Sequence, residues 1–334
     1  MMNLATLLII IKRAVLMGTP LLFGATGEII TEKSGNLNLG IPGIMYIGAI
    51  SGAVGGFIYQ SSVVAVDPFL AVFIPLLCTI LGSLAVSLIY CFLTITLRAN
   101  QNVTGLAITT FGVGCGNLFG GSIIKIIKSD VPFFAFGNIA KEYNKPLPFA
   151  ESLPEKTPEI IKILLSYGFM VYLALVLAII STIIIKRTRI GLNLRAVGEN
   201  PATADAAGIN VSRYKYFATC IGGVIAGFGG LYYVLGNSNG IWANGAFGDK
   251  GWLAIAIVIF ATWKPVYAIL GSYFFGALCI LYNYLDNISM TFIPLLKMLP
   301  YVATILVLII VSLRKKRENQ PPASLGLSYF REER

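Results

Sequence analysis

The chain has 334 residues, of which 56% are hydrophobic and only 12% charged, and its mean hydropathy is +0.79. A soluble domain is about 45–50% apolar and about 25% charged, so this chain has too little charge to cover a water-facing surface and must expose apolar surface to lipid. It contains no histidine, which excludes metal sites, triads and proton relays built on imidazole. The net charge of +10 does not point to nucleic acid as a partner. The basic residues collect in short segments between apolar runs rather than forming a basic face interleaved with aromatics, the pattern of a chain oriented in a membrane. Five scattered cysteines (Cys78, Cys91, Cys115, Cys220, Cys279) form no CxxC pair and read as small buried apolar residues rather than disulfides or ligands.

In chain order, a spanning helix needs about 20 apolar residues, because each adds about 1.5 Å across a hydrocarbon core of about 30 Å. The candidates are 14–30, 39–59, 68–97, 103–124, 161–185, 216–236, 251–262, 266–285 and 292–313. A short apolar piece, 4–11, precedes Lys12 and Arg13 and could add a half-helix. With no small-residue cleavage site following those cations, no cleavable signal peptide is expected. The fold class expected is an all-α polytopic membrane protein, a single transmembrane domain over 1–334, with eight to ten helices.

The segment 186–215 carries Lys186, Arg187, Arg189, Arg195, Arg213 and Lys215 against Glu199 and Asp205, and the tail 314–334 opens with four cations in a row. Both belong on the cytoplasmic side by the positive-inside rule, and the four candidate segments between them agree with that. The loop 125–160 then lies outside. Its lysines are nearly balanced by Asp130, Glu142, Glu151, Glu155 and Glu159, and Pro132, Pro146, Pro148, Pro154 and Pro158 mark it as irregular.

Segment 251–262 gives only about 18 Å of helix, short of the bilayer core. It follows Gly240, Gly245 and Gly248. In the first half, 39–59 is interrupted by Gly40, Pro42, Gly43, Gly48, Gly52, Gly55 and Gly56. Paired broken segments in the two halves of a transporter mark a midplane pathway, whereas glycines also serve close helix packing. Both readings stand at this point. Gly222, Gly223, Ala226, Gly227 and Gly230 form a small-residue face on 216–236, expected to pack helices and to be a candidate seam against a second subunit.

Two blocks carry a family likeness. The first runs from Gly27 and Glu28 through Gly35, Asn36, Leu37, Asn38, Leu39, Gly40, Gly43 and Met45 to Gly48 and Ala49. The second runs from Ala196 through Gly198, Asn200, Ala204 and Ala207 to Gly208 and Ile209. They resemble blocks of ABC-transporter permeases of the ribose and branched-chain amino acid type. Weaker matches lie at Val103–Thr104–Gly105–Leu106–Ala107 and from Gly248 to Ala256. The blocks follow the family's order, and the wording of the first is closest to permeases for uptake of nucleosides and simple sugars. Pro42 stands where many relatives carry an acid, so no role of that carboxylate carries over.

The resemblance implies a permease subunit of an ABC importer. Its implied partners are an ATPase subunit that binds ATP, a second permease (self or sister) and an extracytoplasmic substrate-binding lipoprotein, together with membrane lipid. The chain itself holds no GxxxxGK[ST] loop, so no cofactor and no covalent catalysis are expected of it. The second block, Gly198, Glu199, Asn200, Pro201, Ala204, Asp205, Ala207 and Gly208, is implied to couple to the ATPase. Its own chemistry suits that role. Asn200 can cap a helix, Pro201 fits a first turn, the alanines propagate it and Gly208 can stop it.

Polar residues at membrane depth are costly and often functional. Asn36, Asn38, Asn102, Asn117 and Asn283 are the candidate pathway residues, since an amide offers both donor and acceptor to sugar hydroxyls or a base edge. Tyr232, Tyr233, Trp242 and Phe247 read as an interfacial aromatic belt. Two other readings follow. The same fold could carry branched-chain amino acids, or the chain could be an ion-driven secondary transporter, a class that needs embedded acids of which Glu28 is the clear instance.

Overall fold

The computed structural model describes residues 4–126, 133–148, 158–285, 289–314 and 320–330. The chain is helical nearly throughout. Helices α1 (Leu4–Glu32), α2 (Ile41–Ser62), α3 (Pro68–Cys91, prolonged by a π-helical turn at Phe92–Thr96) and α4 (Gln101–Ile126) form the first half. A short strand β1 (Phe133–Ala135), α5 (Gly137–Asn144) and α6 (Glu159–Leu165) follow. Then come α7 (Phe169–Arg187), α8 (Arg189–Glu199), α9 (Pro201–Ala206) and α10 (Val211–Tyr232, prolonged by a π-helical turn at Tyr233–Asn237). Strand β2 (Ile241–Ala243), α11 (Lys250–Phe260), α12 (Pro265–Ile280), α13 (Ile293–Lys297) and α14 (Leu299–Arg314) complete the described chain.

Among the described residues, seven helices are long and apolar enough to cross a membrane, and 250–260 and 299–310 form shorter apolar helices. This agrees with the expected polytopic all-α class. Several boundaries differ. The piece 4–11 is no separate half-helix, because α1 runs unbroken past Lys12 and Arg13. The span at 161–185 is interrupted between Leu165 and Phe169, where Gly168 packs directly on the Tyr143 backbone. The span at 292–313 is divided at Met298. The loop expected outside is more regular than its prolines suggest, since β1 pairs antiparallel with β2, Phe134 opposite Trp242. Residues Asp130, Pro132, Glu151, Pro154, Glu155 and the basic run 315–317 lie outside the described residues.

The core is built by α1, α2 and α10, flanked by α3 and α12. Lipid tails are as apolar as leucine, so helices in a bilayer associate through close backbone approach at small residues rather than by escaping water. The small-residue face of α10 does this within the chain. Gly222 lies on Gly27 of α1, Gly227 on Ser83 of α3, and Gly230 on the Met45 backbone of α2. It is therefore not a seam for a second subunit. The glycines of α2 also serve packing, and the expected break in 39–59 is absent. Helix α2 is continuous, with Gly43 against α4 and Gly48 against Gly227. The second predicted break is present. Before α11, Gly240, Gly245 and Gly248 take positive φ values, and α11 itself has 11 residues.

The belt reading of the aromatics is also corrected. Tyr232, Trp242 and Phe247 are buried within the protein, and Trp242 and Phe247 stand edge-on to Tyr46 and Tyr233 (Tyr46–Trp242 centroids 5.5 Å, Tyr233–Phe247 5.2 Å). The five cysteines are free, but only Cys91 is fully buried.

Candidate coupling site

The basic segment folds as two short helices. Thr188 caps α8 by accepting from the Gly191 N–H at 3.1 Å. Asn200 caps α9 by accepting from the Thr203 N–H at 3.0 Å, with Pro201 in the first turn. Each cap satisfies one of the amides that a helix start leaves without a partner. The end of α9 closes by Ala207 N–H to Thr203 O and Gly208 N–H to Asp205 O, at 3.1 and 2.9 Å. Gly208 stands at φ +83°, a conformation an L side chain resists. Asn210 then caps α10 by accepting from the Arg213 N–H. Sequence alone placed every one of these Asn200–Gly208 devices.

Helix α9 buries one side chain. Ala204 packs on Val197 and Val211, while Ala202, Thr203, Ala206 and Ala207 are exposed. The result is a rigid, capped helix with a smooth outer face. Gly198, at the end of α8, meets the turn between α1 and α2 so closely that a Cβ there would strike the Lys33 carbonyl oxygen. The two sequence blocks, 163 positions apart, therefore touch at Gly198 and Gly35. Burial pushes the Lys33 ammonium below its usual range, and the Glu199 carboxylate opposes that.

The five candidate pathway asparagines do not converge. Asn36 and Asn38 are fully buried at the α1–α2 turn. Asn36 Nδ2 donates to Thr219 Oγ1 at 3.0 Å, and Asn38 Oδ1 accepts from the Gly40 N–H at 2.9 Å. Asn102 is exposed at the start of α4. Asn117 is some 15 residues along the same helix, about 22 Å away by helix rise, where its Oδ1 accepts from the Tyr46 hydroxyl at 2.7 Å. Asn283 is exposed beside Lys12, Arg13 and Asn237 in a groove of about 570 Å³.

Two features escaped sequence reasoning. The first is Glu32, which α1 carries into the interior one turn beyond Glu28; both carboxyl groups are buried. The Trp263 indole N–H donates to Glu32 Oε2, and the Asn38 N–H to Glu28 Oε1 at 3.2 Å. The Glu28–Glu32 spacing of four was a readable hint, because it places both on one helix face. Its partner was not readable. Trp263 lies 231 positions away in a turn where Thr262 and Trp263 both hold positive φ (48° and 54°), a conformation costing of order 1–3 kcal/mol per residue. The second is the segment 244–249. The Gly245 N–H donates to the Tyr46 hydroxyl at 2.9 Å, and Asn244 Nδ2 to the Asn117 carbonyl at 3.3 Å. Asp249 accepts from the Tyr301 hydroxyl at 3.2 Å. Asn244, Gly245, Gly248 and Asp249 are all exposed, so irregular, polar backbone lies open between β2 and the short α11.

Known proteins bear on this arrangement. The family of permease components of branched-chain amino acid transport systems matches residues 10–311. The chain is similar to the nucleoside ABC transporter permease protein NupC of Lactococcus lactis, at 32% identity over 91% of this chain and 92% of that protein. It is similar to the guanosine ABC transporter permease protein NupQ of Bacillus subtilis, at 32% over 90% and 91%. The putative glucose ABC transporter permease protein TsgC13 of Haloferax volcanii is 30% identical over 94% and 95%. The chain therefore belongs to this permease family: it is a multi-pass cell-membrane protein, the permease subunit of an ABC transporter that works with a separate ATPase.

Proposed function

We propose that this subunit serves an importer of nucleosides, with the Pro201–Ala206 helix as the piece pushed by the ATPase. The observation that carries the mechanical part is the helix itself: capped at both ends and smooth on its exposed side. A motor subunit that grips such a helix moves it as one body. The end of the bundle bearing Arg187, Arg195 and Arg213 would face the cytoplasm. A second permease copy or sister would sit against the open face formed by α4 and 244–249, and cargo delivered by an extracytoplasmic lipoprotein would pass between the two. That face presents Asn102, Asn244 and Asp249 to sugar hydroxyls and base edges. Asn36 and Asn38, sealed inside the chain, would hold the α1–α2 turn rather than touch cargo. Nucleoside is favoured over sugar because two relatives named for nucleoside or guanosine transport align at 32%. The glucose relative keeps simple sugars as the second reading.

The test is uptake in cells carrying the whole transporter. Labelled guanosine should accumulate and be displaced by other nucleosides but not by glucose or leucine. Ala206→Trp, on the exposed face of α9, should abolish accumulation while membrane levels stay normal. Displacement by glucose would move the cargo to sugars. Undiminished uptake by the tryptophan variant would remove α9 from the coupling role.

A further inference from the structure

The last described segment, 320–330, has no secondary structure of its own, yet it is tied down along its length. Ser324 is buried. Its N–H and Oγ both donate to the Gly198 carbonyl, at 3.0 and 2.6 Å. The Gly326 N–H donates to Gly35 O at 3.3 Å. The Leu327 carbonyl accepts from Gln101 Nε2 at 3.4 Å, and Ser328 Oγ donates to Arg98 O at 3.4 Å. The Tyr329 hydroxyl donates to Asp205 Oδ2 at 2.8 Å, and the Arg98 guanidinium lies 4.7 Å over the Phe330 ring.

These contacts add a direct link between α9 and turns that it otherwise reaches through Gly198, which touches Gly35, and through α10, where Thr219 bonds Asn36. Helix α9 packs on α8 and α10. The α1–α2 turn (Gly35) and the α3–α4 turn (Arg98, Gln101) belong to the other half of the bundle. Arg98 sits at φ 57°, a strained position that the segment covers from both its backbone and its side chain. Leu325 packs into the main core and Tyr329 against the small cluster under α9. A segment with polar bonds at five places over six residues has lost the freedom that an exposed tail keeps.

We propose that 320–330 is a strap that carries displacement of α9 to the α1–α2 and α3–α4 turns, with Ser324 and Tyr329 as its positioning residues. Without it, motion of α9 reaches those turns indirectly, through Gly198 at the end of α8 and through α10. With it, the push on Asp205 also draws on Tyr329, and through Ser328 and Leu327 on the base of α4, whose outer face lines the proposed path. The strap rests on α9 being the coupling helix, and its test separates the two ideas.

Spin labels at Ala202→Cys on α9 and Asn102→Cys at the start of α4, with the five native cysteines replaced, report the distance between the two parts in liposomes without any cargo. The wild-type strap should give one narrow distance distribution, and Tyr329→Phe or Ser324→Ala should broaden it. In the complete transporter, each variant should lower cargo moved per ATP hydrolysed at least threefold, with the amount of co-purifying ATPase unchanged. Tyr329→Phe combined with Asp205→Asn should be no worse than the poorer single variant. An unchanged distance distribution, or an unchanged ratio of cargo to ATP, overturns the strap. Loss of ATPase from the complex on Tyr329→Phe also overturns it, making the segment a docking element. Absence of ATP-driven uptake by the unaltered transporter overturns the functional reading instead, while the label distances still decide the strap.

Discussion

Helix α2 and the segment 244–263 are both rich in interrupting residues, and they do opposite things with them. In α2, Gly43 meets α4, Gly48 meets Gly227, and Gly52 and Gly55 meet Thr79 and Cys78 of α3. Removing Cβ atoms there lets four helices lie backbone to backbone, and the helix stays whole. Before α11, Gly245 has nothing within 4 Å of the position its Cβ would take, and Gly248 only the end of the Lys250 side chain at 3.8 Å. There the backbone turns through left-handed conformations and leaves polar groups open. What separates a packing glycine from a helix-breaking one is the company of the missing Cβ, which sequence spacing does not report.

The comparison can be broken most directly at its packed side. A Cβ at Gly230 would fall on the Met45 carbonyl oxygen, and one at Gly48 would come within 2.6 Å of the Gly227 Cα. Backbone cannot yield as a flexible side chain can. Gly230→Leu should therefore cost at or above the top of the about 1–3 kcal/mol typical of overpacking. Monodisperse protein in detergent should be lost, as read by size-exclusion chromatography. A monodisperse Gly230→Leu protein with an unshifted melting curve would show that α2 and α10 are looser than described.

The next effect in size lies at the end of the second region, where Trp263 meets α1. Trp263→Phe keeps an aromatic ring, though a smaller one, and leaves the buried Glu32 carboxyl without its indole donor, a loss of about 1–3 kcal/mol from the unpaired group beside that of the missing volume. Thermal unfolding in detergent should shift down while the protein still inserts. Glu32→Gln keeps an acceptor for the indole and should shift it less. Equal shifts would mean that an amide oxygen does not replace the Glu32 carboxyl as the acceptor for the indole. On the open side, Gly248→Ala meets only the end of the Lys250 side chain at ordinary contact distance, so its cost is conformational, about 1–2 kcal/mol for a left-handed residue. It should fold and insert. If it instead aggregates as Gly230→Leu is expected to, the open and packed glycines are not different in kind.

The legible part of this molecule is what local chemistry dictates. Asn200, Pro201, Gly208 and the alanines between them specify a short capped helix wherever they occur, and the apolar runs specify spans. The family blocks placed that helix in a transporter. What could not be read is who lies opposite. The face of Gly222 and Gly227 was compatible with a partner inside or outside the chain. Tyr232 and Trp242 could equally have faced lipid headgroups, and the pairing of β1 with β2 that sets Phe134 against Trp242 is not written in either segment alone. Glu32 was missed because the apolar run ends at Ile30, whereas helical hydrogen bonding carries the helix one half-turn further into a protein-lined interior. The segment 320–330 carries no periodicity at all; its placement depends on bonds to Gly35, Arg98, Gly198 and Asp205, scattered across the chain.

The smallest effect tests the most legible element. Asn200→Ala removes the side-chain oxygen that accepts from the Thr203 N–H, and such caps are worth about 1 kcal/mol, within a range of about 0.5–2. A six-residue helix has no length to absorb that loss, because helix formation is cooperative and short helices are marginal. The cost should therefore stay local. Amide exchange should quicken about fivefold across 203–207, since about 1 kcal/mol corresponds to a factor of that order in an opening equilibrium, while exchange in α2 and α10 stays unchanged. Asn200→Asp, which keeps an acceptor oxygen at the cap, should restore slow exchange. Faster exchange in α10 as well would mean that α9 is held by the helix it feeds rather than by its own cap, and its rigidity would then belong to the bundle and not to the sequence that spells it.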